Sequence, residues 1–340
     1  MDETRNVRIV VTRRGPPSAL GVIDEPIPEP RAGEVRVRVA AAGVAWADVM
    51  MREGIYPGTS FPVTPGYDVV GTVDALGDGV TSVLPGATVA ALTVHGGYSR
   101  YVVLAASELV PVPAGVDPAE AVSLVLNYVT AYQMLHRCVD VDSGDMVLVH
   151  GAAGGVGTAL LQLANLRGVR SIGTASRGKH ELVSRLGATP LDYRSDDVVA
   201  RVRELSDGGV HAAFDPIGGT SWAASYAALR SSGTLVAYGA STVLAGGRFN
   251  LLRGLAFYAT MPRYAPTKLL SDSKGVVGYN ITRWKAARPQ TFRADLMALL
   301  DLLARRDIEP VVAERIPLAE VARAHELLGE AKVSGKIVLV

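Results

Sequence analysis

The chain has 340 residues, 34 lysines and arginines against 33 aspartates and glutamates, a formal charge of +1, and 49% hydrophobic residues. That length suits two domains with a large core, and the near-zero charge argues against a nucleic-acid or anionic-membrane partner held by bulk charge. Cys138 is the only cysteine, which excludes an intramolecular disulfide.

The N-terminal stretch MDETRNVRIVVTRRG carries charges where a secretory apolar core would stand, and no apolar run reaches membrane-spanning length. A soluble, cytoplasmic protein with no membrane partner is the expectation. Up to about Val122 the pattern predicts short strands separated by glycine and proline, at residues 8–12, 34–40, 69–76, 88–92 and 98–104. Val35, Val37 and Val39 alternate with Arg36 and Arg38, the mark of a half-exposed strand. Pro26, Pro28 and Pro30 read as an extended connector. Together these segments describe a mostly antiparallel β unit, which by itself cannot bind a dinucleotide.

Residues 118–137 have helical spacing and few charges, which predicts a buried helix joining two domains. A short apolar run at 146–149 then reads as a strand buried on both faces of a parallel sheet. The glycine-rich turn 151–157 follows, and Val156, Leu160, Leu163 and Ala164 recur at helical spacing. A buried strand, a tight glycine turn and a helix make an anion site, because the first N–H groups of a helix lack intrahelical partners and carry partial positive charge. Further strands are predicted at 171–176, 190–193, 210–214 and 234–239, with a last apolar segment at 255–261. Six strands in that rhythm, with helices through Leu186 and from Asp196, fit a doubly wound parallel sheet. Helices at 292–306 and 318–332 and a strand at 336–340 close the chain. No internal repeat or low-complexity tract interrupts it.

Read as Ala152-x-Gly154-x-x-Gly157, the turn resembles the dinucleotide fingerprint with alanine in place of its first glycine. That variant is similar to the turn of the zinc-free quinone oxidoreductases, the zeta-crystallin group of the medium-chain dehydrogenase/reductase superfamily. The resemblance extends through DEPIPEPRAGEVRVRVAAAGV, GIYPGTSFPVTPGYDVVGTV and HGGYSRYVVL. It implies an α/β architecture: a GroES-like, mostly antiparallel β catalytic domain at 1–122, a Rossmann doubly wound parallel sheet at 123–262, and a return to the catalytic domain at 263–340. It also implies a homodimer joined through the edge strands of the two cofactor sheets.

The end of the second parallel strand usually discriminates NAD from NADP, since an acid there accepts from the free 2′-hydroxyl and repels a 2′-phosphate. Here GTASRGKHE places Ser176, Arg177 and Lys179 at that position, which favours NADPH. Gly154, Gly155, Val156 and Gly157 form the phosphate cradle. The resemblance adds Thr130 near the nicotinamide and phosphates, and Gly173, Thr174, Tyr238 and Gly239 at strand ends lining the crevice. Tyr193 ends the third strand, where its ring lies near the adenosine phosphate or packs on the sheet.

Zinc-dependent relatives polarise the substrate oxygen with a metal held by a cysteine and by the histidine of a GHE motif. This chain has Trp46 at about the cysteine's place and Gly66-Tyr67-Asp68 at the GHE equivalent, and its six histidines are scattered. No metal is therefore expected. Hydride addition to a quinone or an enone delocalises the developing charge, so a modest proton donor suffices. Tyr56, in GIYPG, and Tyr67 are the candidate donors, since a phenol donates well to an enolate and is a poor general base. Many relatives carry asparagine where this chain has Ala45, and the loss of that amide beside Trp46 points to a different pocket. Asp48 either compensates or caps the following helix. Tyr264, Tyr279 and Trp284 are candidate pocket walls or core aromatics. The leading expectation is an NADPH-dependent, zinc-independent reductase of quinones or α,β-unsaturated carbonyls. A pathway-specific enoyl reductase and a non-catalytic NADPH-binding protein are the alternatives.

Overall fold

The computed structural model describes residues 5–340; residues 1–4, which open the charged N-terminal stretch, lie outside the described residues. Two units are present. One comprises the chain up to Val129 with Gly246–Arg248 and Pro289–Val340; the other comprises Thr130–Ala245 and Phe249–Arg288.

In the first unit β1 (Arg5–Val11) and β2 (Leu20–Pro26) form an antiparallel ribbon. The 11-residue strand β3 (Glu34–Val44) is the centre of a larger sheet. It pairs antiparallel with β4 (Asp68–Leu76), which in turn pairs with β5 (Thr88–Leu92). The start of β3 pairs with β6 (Tyr101–Ala105), its end pairs with the C-terminal strand Lys336–Leu339, and β7 (Val110–Pro111) borders β5. Alternation decides which face is buried. Val35 and Val37 enter the core with Ile9, Val69, Val89 and Ile337, while Arg36 turns out to Asp74 (2.6 Å) and Glu29 (3.0 Å). Strand β2 was not legible because most of its residues are exposed or half-exposed and show no apolar alternation. Pro26 closes β2 rather than starting a connector, and β3 runs on to Val44, past the predicted residue 40.

The second unit is a parallel sheet of β8 (Met146–Val149), β9 (Arg170–Ala175), β10 (Ala188–Asp192), β11 (Val210–Asp215), β12 (Leu229–Ala237) and the strand Gly275–Gly278. Their spatial order is β10-β9-β8-β11-β12 and then Gly275–Gly278. The direction of winding reverses between β8 and β11, and ligands of such sheets bind outside the carboxyl ends at that point. The sixth strand is not where the sequence placed it. Residues 255–260 belong to the helix Leu251–Thr260, which Met261 ends in an extended conformation and whose first turn is capped by Asn250 Oδ1 accepting from Arg253 N–H. A short apolar run fits strand and helix alike. The true edge strand, GVVG, is too brief to have stood out.

Residues 118–138 are helical throughout, with π-helical turns at Leu124–Tyr128 and Met134–Cys138. Asp117 starts this stretch by accepting from the N–H groups of Ala119 and Glu120. Among the described residues, no helix is long and apolar enough to cross a membrane.

Candidate active site

The glycine turn folds because each of its close contacts needs a missing Cβ or a left-handed φ. Gly151 sits at φ 64°, and its carbonyl accepts the Gly154 N–H at 2.9 Å. The Ala152 N–H donates to the Thr174 carbonyl at 3.0 Å, which ties the turn to the end of β9. A Cβ on Gly157 would lie 2.3 Å from the Gly151 oxygen, and one on Gly173 would lie 2.7 Å from the Ala152 Cβ. The helix Gly155–Leu166 begins with neither a side-chain cap nor an acidic residue in its first turn. The N–H groups of Gly155, Val156 and Gly157 are thus the unpaired donors of a helix start. With the dipole behind them and no side chain in the way, they fit a pyrophosphate.

The other predicted cofactor residues of this unit, apart from Thr130, follow or end neighbouring strands at the same carboxyl edge. Thr174 is buried, one residue before the end of β9. Ser176 precedes the 3-10 turn Arg177–Lys179, and burial lowers the pKa of the half-buried Lys179 ammonium. Tyr193, just past β10, is 51% exposed with the Arg194 guanidinium 5.5 Å above its ring, so it stands out from the sheet rather than packing on it. Tyr238 and Gly239 follow β12; a Cβ on Gly239 would press on the Pro216 oxygen at 2.8 Å. Burial, reinforced by Asp215, pushes the Tyr238 phenol well above its usual range. Thr130 is buried in the helix Val129–Gln133.

Two groups at this edge were not singled out from the sequence. Asp215, the last residue of β11, accepts from the Ile217 and Gly218 N–H groups and from the Ser221 and Ser225 hydroxyls at 2.6–3.3 Å. It fixes the turn across the switch point from the glycine loop. His150, immediately before the loop, is buried, with Nδ1 3.0 Å from the Thr174 hydroxyl. Burial lowers its pKa, while Asp215 opposes that shift.

In the first unit the two candidate donors meet. The Tyr56 and Tyr67 hydroxyls lie 2.8 Å apart, their rings edge to face at 6.0 Å. Tyr67 is 3% exposed and Tyr56 is half-buried against the His95 ring. The Tyr67 carbonyl accepts from the Thr93 and Val94 N–H groups, which fixes its backbone. Asp48 is a cap, accepting from the Ala45 N–H at 2.8 Å, and its other oxygen accepts from the Gly66 N–H at 2.8 Å. That second bond joins the Ala45–Trp46 loop to the residue before Tyr67. Asp68 is fully buried and paired with Lys336 Nζ at 2.9 Å. Among the described residues, no group of three or more histidine, cysteine, aspartate or glutamate side chains is arranged to hold a metal ion.

Of the three candidate pocket aromatics, Tyr264 stacks on Tyr226 at 4.8 Å and lines a cavity of about 370 Å³ with Lys268, Asp272 and Lys274. Lys274 precedes the edge strand, which puts this cavity at the amino end of the sheet, away from the glycine turn. Tyr279 is buried, donates to Gln133 Oε1 at 2.8 Å and packs on Trp284.

Residues 31–114 match the alcohol dehydrogenase GroES-like domain, and residues 186–339 match a family described as zinc-binding dehydrogenase. The chain is 34% identical over 343 residues to a quinone oxidoreductase of Pseudomonas aeruginosa, covering 98% of this chain and 99% of that one. It is 35% identical over 315 residues to the synaptic vesicle membrane protein VAT-1 homolog of Danio rerio; the match covers 92% of this chain and spans 65% of the length of that relative. The solved structure of the mycobacterial protein Rv1454c complexed with NADPH superposes with a TM-score of 0.86 at 34% identity, over 98% of this chain and 99% of that one.

Proposed function

The chain belongs to the quinone oxidoreductase group of the medium-chain dehydrogenase/reductase superfamily, and from that premise we propose an NADPH-dependent reductase of quinones and α,β-unsaturated carbonyls that works without zinc. The observation that carries the reading is the glycine turn with its unpaired helix-start N–H groups, followed at the next strand end by Ser176, Arg177 and Lys179. Gly154 to Gly157 hold the pyrophosphate. Arg177 and Lys179 offer charge to the 2′-phosphate, and Thr130, Thr174, Tyr193, Tyr238 and Gly239 line the rest of the cradle. The mycobacterial relative solved with NADPH supports the same choice of cofactor.

When bound, NADPH supplies the hydride. The remaining task is a proton for the oxygen of the reduced acceptor. The Tyr56–Tyr67 pair suits it, because one hydroxyl donates to the acceptor while the other donates to the first and offsets its developing charge. Trp46 and Tyr67, standing where zinc-dependent relatives carry metal ligands, have no thiolate or imidazole to offer. An acceptor whose own conjugation spreads the charge needs no Lewis acid. Turnover of a panel of quinones, enones and simple ketones with fixed NADPH tests the reading. Quinones or enones are expected to react and saturated ketones to fail.

The homodimer forms through the edge strand Gly275–Gly278 and the helix Leu251–Thr260. Leu251, Leu252, Leu255 and Tyr258 support this by exposing 59–75% of their surface, an apolar stripe suited to a second copy.

A further inference from the structure

Beneath the Tyr67 loop lies a chain of buried polar groups for which the reaction, as read above, has no use. Arg52 is fully buried and donates to the Gly247 carbonyl at 2.5 Å, to Glu53 at 2.9 Å, and from Nη1 to His325 Nδ1 at 3.4 Å. A guanidinium can only donate, so His325 accepts at Nδ1 and carries its hydrogen on Nε2. That N–H faces the Tyr98 hydroxyl at 3.3 Å, and burial, then the neighbouring Asp48 charge, holds the Tyr98 phenol well above its usual range. Donor and acceptor roles therefore run one way, from Arg52 through His325 to Tyr98, the neighbour of Asp48. The Asp48 carboxylate collects two donors, the Ala45 N–H on one oxygen and the Gly66 N–H on the other.

Gly66 is the residue before Tyr67. It sits at φ 109°, and a Cβ there would lie 2.3 Å from the Tyr98 nitrogen, so its backbone has no slack on that side. What holds its N–H also sets where the Tyr67 phenol stands. We propose that Asp48 is a positioning residue for the Tyr56–Tyr67 hydroxyl pair, clamping Gly66 beside the Arg52–His325–Tyr98 relay. The proposal rests on the reading of that pair as the proton source.

The electrostatics give the clamp a pH dependence. Burial pushes the Asp48 carboxyl up to about 7; the Gly66 and Ala45 N–H groups and Lys336 pull it down, and neighbouring Asp68 raises it. Burial, and then the Arg52 charge, drives the His325 imidazole down to about 3, so the relay stays neutral at that link. Burial raises the adjoining Asp68 carboxyl as well, and its ion pair with Lys336 opposes that shift. Protonated, Asp48 becomes a weaker acceptor with one hydrogen to place, and the Gly66 bond loosens.

The test uses the full chain labelled with carbon-13 at the phenolic carbon of tyrosine. The Tyr56 and Tyr67 signals, assigned with Tyr56→Phe and Tyr67→Phe, are followed from about pH 5 to about pH 9. The pH profile of 1,4-naphthoquinone reduction by NADPH is recorded beside them. Both signals are expected to move together with a midpoint of about 7. Below it kcat should fall roughly tenfold while KM for NADPH holds. Tyr98→Phe removes the polar hydroxyl next to the carboxylate, spares the Gly66 clamp, and should raise the midpoint by roughly half a pH unit or more. Asp48→Asn should abolish the step, and if that variant fails to fold, Tyr98→Phe decides. Tyrosine signals flat across the range, or a midpoint that Tyr98→Phe does not move, overturn the proposal. Turnover with a flat kcat profile also overturns it and leaves the reductase reading intact. Titrating signals without turnover of any acceptor support the clamp and sink the reductase reading instead.

Discussion

Tyr56 and Tyr67 share a hydrogen bond of 2.8 Å between their hydroxyls, although one is half-exposed on a loop and the other is buried beside Gly66. Two phenols in that relation act as a unit. Either can pass a proton outward while the other supports it.

Replacing Tyr67 by phenylalanine is therefore expected to lower kcat by about tenfold, because Tyr56 still donates, and Tyr56→Phe should behave alike. The double variant should lose roughly a hundredfold or more. NADPH affinity, read by calorimetry, should stay level in all three. A double variant no slower than either single one would contradict the paired role.

Gly157→Ala places a methyl 2.3 Å from the Gly151 oxygen, a backbone atom that cannot swing aside. The helix start must back away from the Gly151–Ala152 backbone, at a cost of about 1–3 kcal/mol in stability. NADPH binding should weaken at least tenfold, measured by calorimetry alongside the melting temperature.

Charge reversal at Arg177 and Lys179 to glutamate should invert cofactor preference. NADPH should lose more than tenfold in affinity while NADH changes little, and the NADPH loss should be greatest at low ionic strength. Equal losses for both cofactors would move 2′-phosphate recognition elsewhere.

His325 stays neutral in the fold down to about 3, whereas the free side chain titrates at 6.5. Between those values the unfolded chain binds the extra proton. The stability His325 contributes is thus complete above 6.5 and is lost as pH falls, by up to about 1.4 kcal/mol per pH unit. His325→Gln removes this dependence. Scanning calorimetry should find the wild type's advantage over the variant shrinking from pH 6.5 towards about pH 4; a constant gap would contradict a buried neutral imidazole.

Leu255→Asp puts a charge in the middle of the exposed stripe on the helix Leu251–Thr260. The wild type should sediment as a dimer and the variant as a monomer, with an unchanged melting temperature at low concentration. A variant that remains dimeric would send the interface elsewhere.

Local signals carried most of this architecture. Met146–Val149 was legible because four apolar residues before a glycine turn have few other uses, and Arg177 with Lys179 because their place follows from counting strands. The stretch 255–261 misled, since its apolar residues satisfy either period and only the Asn250 cap, a backbone event, distinguishes them. Tyr56 and Tyr67 could be picked out as phenols in loops, but nothing in their spacing required the hydroxyls to touch. The Asp48 clamp and the Arg52–His325 contact join residues 18 and 273 positions apart, through partners that the fold alone brings near.

The central claim is tested most directly by one assay. Protein stripped of divalent metal by a chelator is mixed with NADPH and 1,4-naphthoquinone or an enone, and nucleotide oxidation is followed. Undiminished turnover, faster with NADPH than with NADH, is the predicted result. Activity that vanishes with the chelator and returns only with zinc, or a preference for NADH, would contradict it.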